Sequence, residues 1–372
     1  MAKRRIVFIV TQDCQLRCNY CYLVGKNQTG KMTWETAKEI VDFLMSLPVR
    51  ENEAIFDFIG GEPFLEIDLI HNISDYLVEV MQERQHQWLK KYSFRITTNG
   101  LAYSSTKVQE YIEKYKERLE INISIDGTKR KHDLNRIFAN GEGSYDKLIP
   151  NVKLWIEQFR DEAKPFLVIS HNDLPYLSES IIHLISLGLS DIFVSLVVEN
   201  VWKKGDDKIF ENELMIVADY LINNRLWNKV FISSFMKDVG TSEIDSHIYP
   251  CGNLMYVFDA NGNIYTCVRF AGYSLRSKSP RIIGNIKTGI DKNKLRPLLA
   301  FDRESCYPLK CLNCDIAACC RWCPAENYDS SELGTIFERS TTVCELHKAN
   351  VRIKNYYWNK INYIEDYEGS KT

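Results

Sequence analysis

The chain has 372 residues, 45% hydrophobic and 26% charged, with a formal net charge of −2. That length buries one large core and a smaller one, predicting two or three domains, and the near-neutral balance excludes the broad basic pull of a nucleic-acid binder. No apolar run reaches the roughly 18 residues of a membrane span, and the apolar stretch after Lys3-Arg4-Arg5 is too short for a signal peptide, so a cytoplasmic protein with no membrane partner is expected.

From residue 6 to about 198, strand-like apolar runs alternate with longer helical periods, the pattern of repeated βα units on a parallel sheet. Six strands are predicted, at 6–10, 54–59, 94–98, 121–125, 166–170 and 192–198. Between the first two, Thr33 is the predicted N-cap of a helix whose Ala37, Ile40, Val41 and Leu44 share a face before Leu47-Pro48 ends it. Right-handed crossovers bring the carboxyl ends of such strands to one rim.

Directly after the first strand, Cys14, Cys18 and Cys21 stand at the spacing C-x3-C-x2-C, with Tyr20 before the third. Three thiolates are too few for a closed four-ligand site and suit an iron–sulfur cube with one iron left open. A zinc site usually shows paired C-x2-C units with a finger-like partner, and none follows before residue 71; disulfides require an oxidising compartment. The loop after the second strand, Gly60-Gly61-Glu62-Pro63, lets backbone approach a ligand closely. After the fourth strand, Ser124 and Asp126 sit at alternate positions suited to a ribose diol, and Arg136 lies within reach of a carboxylate. For Asp126 a turn or helix-capping role stands beside the functional one; for His132 a capping or packing role is the expected one.

The cysteine loop resembles that of the radical S-adenosylmethionine (SAM) enzymes. The resemblance implies a partial (β/α)6 TIM-like barrel in which Cys14, Cys18 and Cys21 carry a catalytic [4Fe–4S] cluster. Its free iron is chelated by SAM, and reductive cleavage then yields a 5′-deoxyadenosyl radical. It also implies cofactor contacts at Tyr20, Gly60, Gly61, Glu62, Ser124, Asp126 and Arg136, with Gly61 beside the SAM amino group, Ser124 near the ribose and Arg136 on the methionyl carboxylate.

Residues 199–250 break the alternation with a polar turn, a helix bearing Leu214, Val217, Ala218 and Leu221, and a Ser/Asp-rich loop, and read as a bridge. Nine cysteines then fall within residues 251–344: Cys251, Cys267, Cys311, Cys314, Cys320, Cys323 and Cys344 form a series, and Cys306 and Cys319 stand outside it. The series resembles the SPASM extension of radical SAM peptide-modifying enzymes, which carries two auxiliary [4Fe–4S] clusters, for three clusters in all. By that resemblance Cys311, Cys314, Cys320 and Cys344 hold one. Cys251, Cys267 and Cys323 hold the other, its fourth position being Cys306, Cys319 or an open iron that accepts a substrate thiolate.

The domain expectation is therefore a barrel over 1–198, a bridge over 199–250, a SPASM domain over 251–344 and a C-terminal helix and tail over 345–372. Its aromatics Tyr356, Tyr357 and Trp358 are read as packing. In anaerobic sulfatase maturases the cysteine matching Cys267 precedes an aspartate base, whereas Val268 and Arg269 follow here. The chain instead resembles maturases of cysteine-repeat peptides, including thioether-forming ones. That implies a cysteine-bearing ribosomal precursor peptide as substrate and a flavodoxin- or ferredoxin-like electron donor. Other peptide chemistry, such as carbon–carbon crosslinking, epimerisation or formylglycine formation, fits the same cluster set.

Overall fold

Five consecutive apolar residues, Ile6 to Val10, form the centre of β1 (Lys3–Thr11), and all five are buried. A strand buried on both faces reads as a continuous apolar run, which is how interior parallel strands differ from half-exposed ones. β1 pairs in parallel with β2 (Glu53–Gly60), β2 with β3 (Tyr92–Thr98), and β3 with β4 (Leu119–Ile123). Rings at matched register join these strands: Phe8 lies 5.6 Å from Phe58, and Phe56 lies 6.0 Å from Phe94. Each buried ring contributes roughly 2–3 kcal/mol by leaving water.

The structure, a computed structural model, describes all residues except 1–2, 25, 27–29, 49, 237–253, 275–277, 302–307, 318–319, 321–322 and 370–372. Cys251, Cys306 and Cys319 therefore lie outside the described residues. The six predicted strands are all present, the last two as β5 (Phe166–Ile169) and β6 (Asp191–Leu196). The intervening helices are α1 (Trp34–Ser46), α2 (Ile67–Glu83), α3 (Thr106–Tyr115), α4 (Lys129–Asn135), α5 (Tyr145–Phe159) and α6 (Leu177–Ser186). Thr33 caps α1 by accepting from the Thr36 amide, and the predicted face of Ala37, Ile40, Val41 and Leu44 is buried.

β5, β6 and β7 (Phe231–Ile232) form a second parallel ladder, joined to the first by a bridge between Ser124 and Phe166. The parallel strands thus follow one another as the wall of a partial barrel. α7 (Asp206–Asn223) and β7 lie inside the segment read as a bridge and continue the βα alternation there.

β8 (Met255–Phe258) pairs in parallel with the free side of β1, with Arg5 opposite Met255 and Phe8 opposite Phe258. The first described strand of the cysteine-rich region thereby extends the barrel sheet. β9 (Asn263–Tyr265), β10 (Gly284–Asn285) and β11 (Gly289–Ile290) continue it as an antiparallel meander. Helices α8 (Lys292–Leu299), α9 (Leu309–Leu312) and α10 (Pro324–Ser330) carry the cysteine-rich segment to α11 (Cys344–Gly369). α11 packs on α7, with Tyr357 buried and stacked on Phe235 at 4.6 Å and Tyr356 and Trp358 packed against the core, so these three aromatics do pack. Among the described residues no helix is long and apolar enough to cross a membrane.

Candidate cluster and SAM site

The loop after β1 is clamped from two sides. On one, Gly61 donates from its amide to the Thr11 carbonyl at 2.9 Å, and Glu62 to the Asp13 carbonyl at 2.8 Å. A Cβ on Gly60 would stand 1.9 Å from the Thr11 oxygen and one on Gly61 2.2 Å from the Asp13 oxygen, so the glycine pair is what lets the two loops touch. On the other side the Arg17 amide donates to Ile137 at 2.7 Å and the Asn19 amide to Asn135 at 3.0 Å, docking the loop on the end of α4.

Of the three cysteines of this loop, Cys14 is buried and Cys18 and Cys21 are partly so. Burial pushes Cys14 and Cys18 up from the ordinary thiol value, while the Lys26 ammonium opposes the shift at both. Lys26 in turn feels all three sulfurs and donates to the Leu16 carbonyl at 3.3 Å. Three soft thiols with one ammonium among them match a cluster with an open iron. Among the described residues no group of three or more His, Cys, Asp or Glu is gathered as a single-ion site.

Glu62 is fully buried and accepts from the Phe64 amide at 3.0 Å, the Thr98 hydroxyl at 2.6 Å and the Asn99 amide at 2.7 Å. Burial raises its carboxyl more than these donors lower it. Asn99 extends from this anchor to Gln15 at 3.1 Å and toward the Cys14 sulfur at 3.9 Å. Glu62 thus ties the ends of β2 and β3 to the cysteine loop.

Asp126 is the hub at the end of β4. It accepts from the Tyr20 hydroxyl, from Arg136 Nε at 3.1 Å and from the Val168 amide at 3.0 Å, while Arg136 covers the Tyr20 ring at 5.5 Å. Burial raises the Asp126 carboxyl, but Arg136, Lys131 and His132 outweigh it and hold the group below its ordinary value. Thr128, not Asp126, caps α4. His132 takes the packing role: its Nδ1 accepts from the Asp126 amide at 3.3 Å, its Nε2 meets the Ser144 hydroxyl at 2.9 Å, and burial lowers its pKa to about 3. Ser124 sits partly exposed at the same strand end, its amide donating to Thr98. The residues singled out around SAM therefore converge on one rim, with Asp126 and Arg136 paired to each other.

The described cysteines beyond the barrel fall in two neighbourhoods. Cys320 is surrounded by Arg339, Cys344 and Cys311, and Cys344 lies near Cys314 and Cys311. Cys323, buried and raised by that burial, lies beside Glu326 and Cys267. A cavity of about 310 Å³ opens between β6 and this region, lined among others by Leu196, Cys320, Cys323, Glu326, Arg339 and Cys344.

Tyr22, half-buried near Cys21 and Cys267, connects the two regions. The Arg269 guanidinium covers its ring at 5.4 Å and pairs with Glu199 at 3.0 Å. Sequence reasoning missed Tyr22, Lys26, Asn99 and Glu199 as site residues. The signals were the clustering of Tyr22 and Lys26 around the third cysteine and, for Asn99, its place in the Thr97-Thr98-Asn99-Gly100 loop after the third strand.

The radical SAM superfamily model matches residues 8–173. An uncharacterised protein of Methanocaldococcus jannaschii is 29% identical over 82% of this chain and 94% of its own length. The cysteine-type anaerobic sulfatase-maturating enzyme of Clostridium novyi is also 29% identical, over 44% of this chain and only 42% of its own. Among solved structures, native anSMEcpe with bound AdoMet superposes with a TM-score of 0.75 at 17% identity, covering 97% of this chain and all of that one. Streptococcus suis SuiB bound to precursor peptide SuiA gives 0.62 at 18% identity, over 92% of this chain and 76% of that one. Residues 8–173 therefore match a radical SAM domain, and over nearly its whole length the chain shares the fold of these solved structures.

Proposed function

We propose that the chain is a peptide maturase that joins a cysteine sulfur to a carbon of another residue in a ribosomally made precursor, forming a thioether. The observation that carries this reading is the surroundings of Cys267. Where sulfatase maturases resemble one another in an aspartate base, this chain has Val268 and an Arg269 whose charge is committed to Glu199. A peptide substrate is supported by the cavity of about 310 Å³ beside Cys320, Cys323 and Cys344, and by the precursor and Cp18Cys peptides bound to SuiB and anSMEcpe.

Cys14, Cys18 and Cys21 would hold the first cluster, with Gly60, Gly61, Ser124 and the Asp126–Arg136 pair framing SAM. Cys251, Cys267 and Cys323 would hold one auxiliary cluster, and Cys311, Cys314, Cys320 and Cys344 the other, with electrons arriving from a flavodoxin- or ferredoxin-like donor. When bound, these groups supply a strongly oxidising carbon radical and a sink for electrons. The protein's share is position: the glycine pair and α4 fix the cysteine loop, Tyr20, Asp126 and Arg136 stiffen the rim, and the cavity holds the acceptor residue away from water.

The test is incubation of anaerobically reconstituted protein with SAM, reductant and a synthetic peptide that carries repeated cysteines. Each link replaces one S–H and one C–H by a C–S bond, so the product loses two hydrogens and one alkylatable thiol, with crosslinked fragments in its mass spectrum. The Clostridium relatives favour a second reading, formylglycine formation; a mass change at one cysteine without any crosslink would support it and overturn the thioether.

A further inference from the structure

The SPASM-like segment carries a cation aimed inward. Arg339 Nη2 donates to the Cys320 sulfur at 2.6 Å and faces the cavity that Cys323, Glu326 and Cys344 also line. We infer that Arg339 is a positioning residue that raises the reduction potential of the group held by Cys311, Cys314, Cys320 and Cys344.

The contact is built into the fold. Cys323 is the N-cap of α10, and one turn later on that helix Asn327, fully buried, grips the loop that carries Arg339. Its amide nitrogen donates to the Ile336 carbonyl at 2.9 Å and its amide oxygen accepts from the Ser340 backbone at 3.0 Å. Ser331, also buried, closes the same loop by donating to Glu338 at 2.5 Å and accepting from the Thr335 amide at 3.2 Å. Arg339 is therefore held at its guanidinium and on both sides of its backbone. Its charge also acts on Glu326, a largely buried carboxyl beside Cys323.

Reduction adds negative charge to an iron–sulfur cluster. A cationic donor on a ligating sulfur stabilises that charge, and hydrogen bonds to sulfur are among the protein's main levers on cluster potential. The inference rests on the thioether reading for its purpose: of the two hydrogens lost per link, one leaves as a hydrogen atom and the other as a proton plus an electron. The electron needs an acceptor of raised potential, and the Arg339 contact supplies the raise at the Cys320 set.

The experiment uses full-length protein with Cys14, Cys18 and Cys21 replaced by Ala, so that only the auxiliary groups remain, reconstituted with iron and sulfide without air. Iron per chain and an EPR-monitored redox titration are compared for this background, R339K and R339Q. The expected result is unchanged iron, a lower midpoint for one of two clusters in R339Q, and a smaller fall in R339K, which keeps a point charge without the planar fork. Unchanged midpoints at full iron overturn the inference. Should R339Q lose iron, R339K decides in its place, and a background midpoint there overturns it equally. If the background itself binds no iron, the cluster reading fails, an outcome the iron count separates from failure of the Arg339 contact.

Discussion

Arg269, two residues beyond Cys267, donates from Nη1 to Glu199 Oε1 at 3.0 Å and so ties the cysteine-rich segment to the loop after β6. The two side chains are 21% and 9% exposed, and the guanidinium also covers Tyr22, whose neighbour Cys21 belongs to the first cysteine loop. One ion pair thus holds the end of the barrel wall, the first cysteine loop and the second cysteine region in register.

Glu199→Gln leaves the guanidinium largely buried without its counter-charge. Truncating one partner of a buried pair costs more than the pair itself contributes, and about 3 kcal/mol is expected here. Chemical denaturation of the anaerobic protein should show the loss as a lower midpoint. A midpoint within error of the parent would mean that solvent already screens this pair.

Gly61→Ala places a methyl 2.2 Å from the Asp13 carbonyl oxygen, a backbone atom that cannot swing aside. The cysteine loop must shift, while the thiols beyond residue 250 are untouched. The variant should lose iron at the first site only, and the rate of 5′-deoxyadenosine release should fall roughly 100-fold, the scale of an ångström-sized misplacement. Full iron with undiminished release would show that the loop tolerates the displacement.

The barrel was legible because its strands are continuous apolar runs and its helices keep a 3.6-residue period, with Thr33 and the Leu47-Pro48 stop marking α1 correctly. The pairing of β8 with β1 was not, since the partners lie some 250 residues apart and a four-residue strand leaves no local trace of its neighbour. At the rim, the spacing pointed to Asp126 and Arg136 but could not show that they pair with each other under the Tyr20 ring. Glu62 stood in a motif beside two glycines; that it is an internal anchor for Thr98 and Asn99 depends on three loops meeting in space. Arg339 and Cys320 are separated by a loop whose fold depends on the buried Asn327, and no periodicity encodes that.

His132 gives the fold a calculable acid sensitivity. In the folded chain burial lowers its pKa from 6.5 to about 3, so below pH 6.5 the unfolded chain takes up a proton that the folded chain refuses. A lowered pKa on a base therefore means stability present at neutral pH and lost as pH falls, by up to about 1.4 kcal/mol per unit between 6.5 and 3. Asp126, whose carboxyl is held below its ordinary value, adds stability that is fully present above pH 3.8 and disappears as pH falls through its lower folded value. The two windows barely overlap, but Glu62 and Glu326, raised by burial, and His86 and His183, lowered by it, also titrate between pH 6.5 and 4.5, so the share of His132 is the difference in slope between the parent and His132→Gln over that range. His132→Gln should flatten that slope while lowering stability at pH 7; an unchanged slope would assign it to other groups.

Cys14→Ala tests the first cysteine loop most directly. Cys14 is the buried member of the three thiols; it accepts from the Leu16 amide at 3.4 Å and is approached by Asn99, which Glu62 holds in place. Replacing it removes one of only three thiolates available to a cube that already leaves one iron open, and two thiolates do not retain such a cluster. On the proposed three-cluster reading iron should fall from about twelve to about eight per chain. Release of 5′-deoxyadenosine should drop to the level of the protein-free control, with the circular dichroism of the folded chain unchanged. Continued release from SAM by this variant would overturn the assignment of the loop, because no other described group of thiols stands at the end of β1 to take its place.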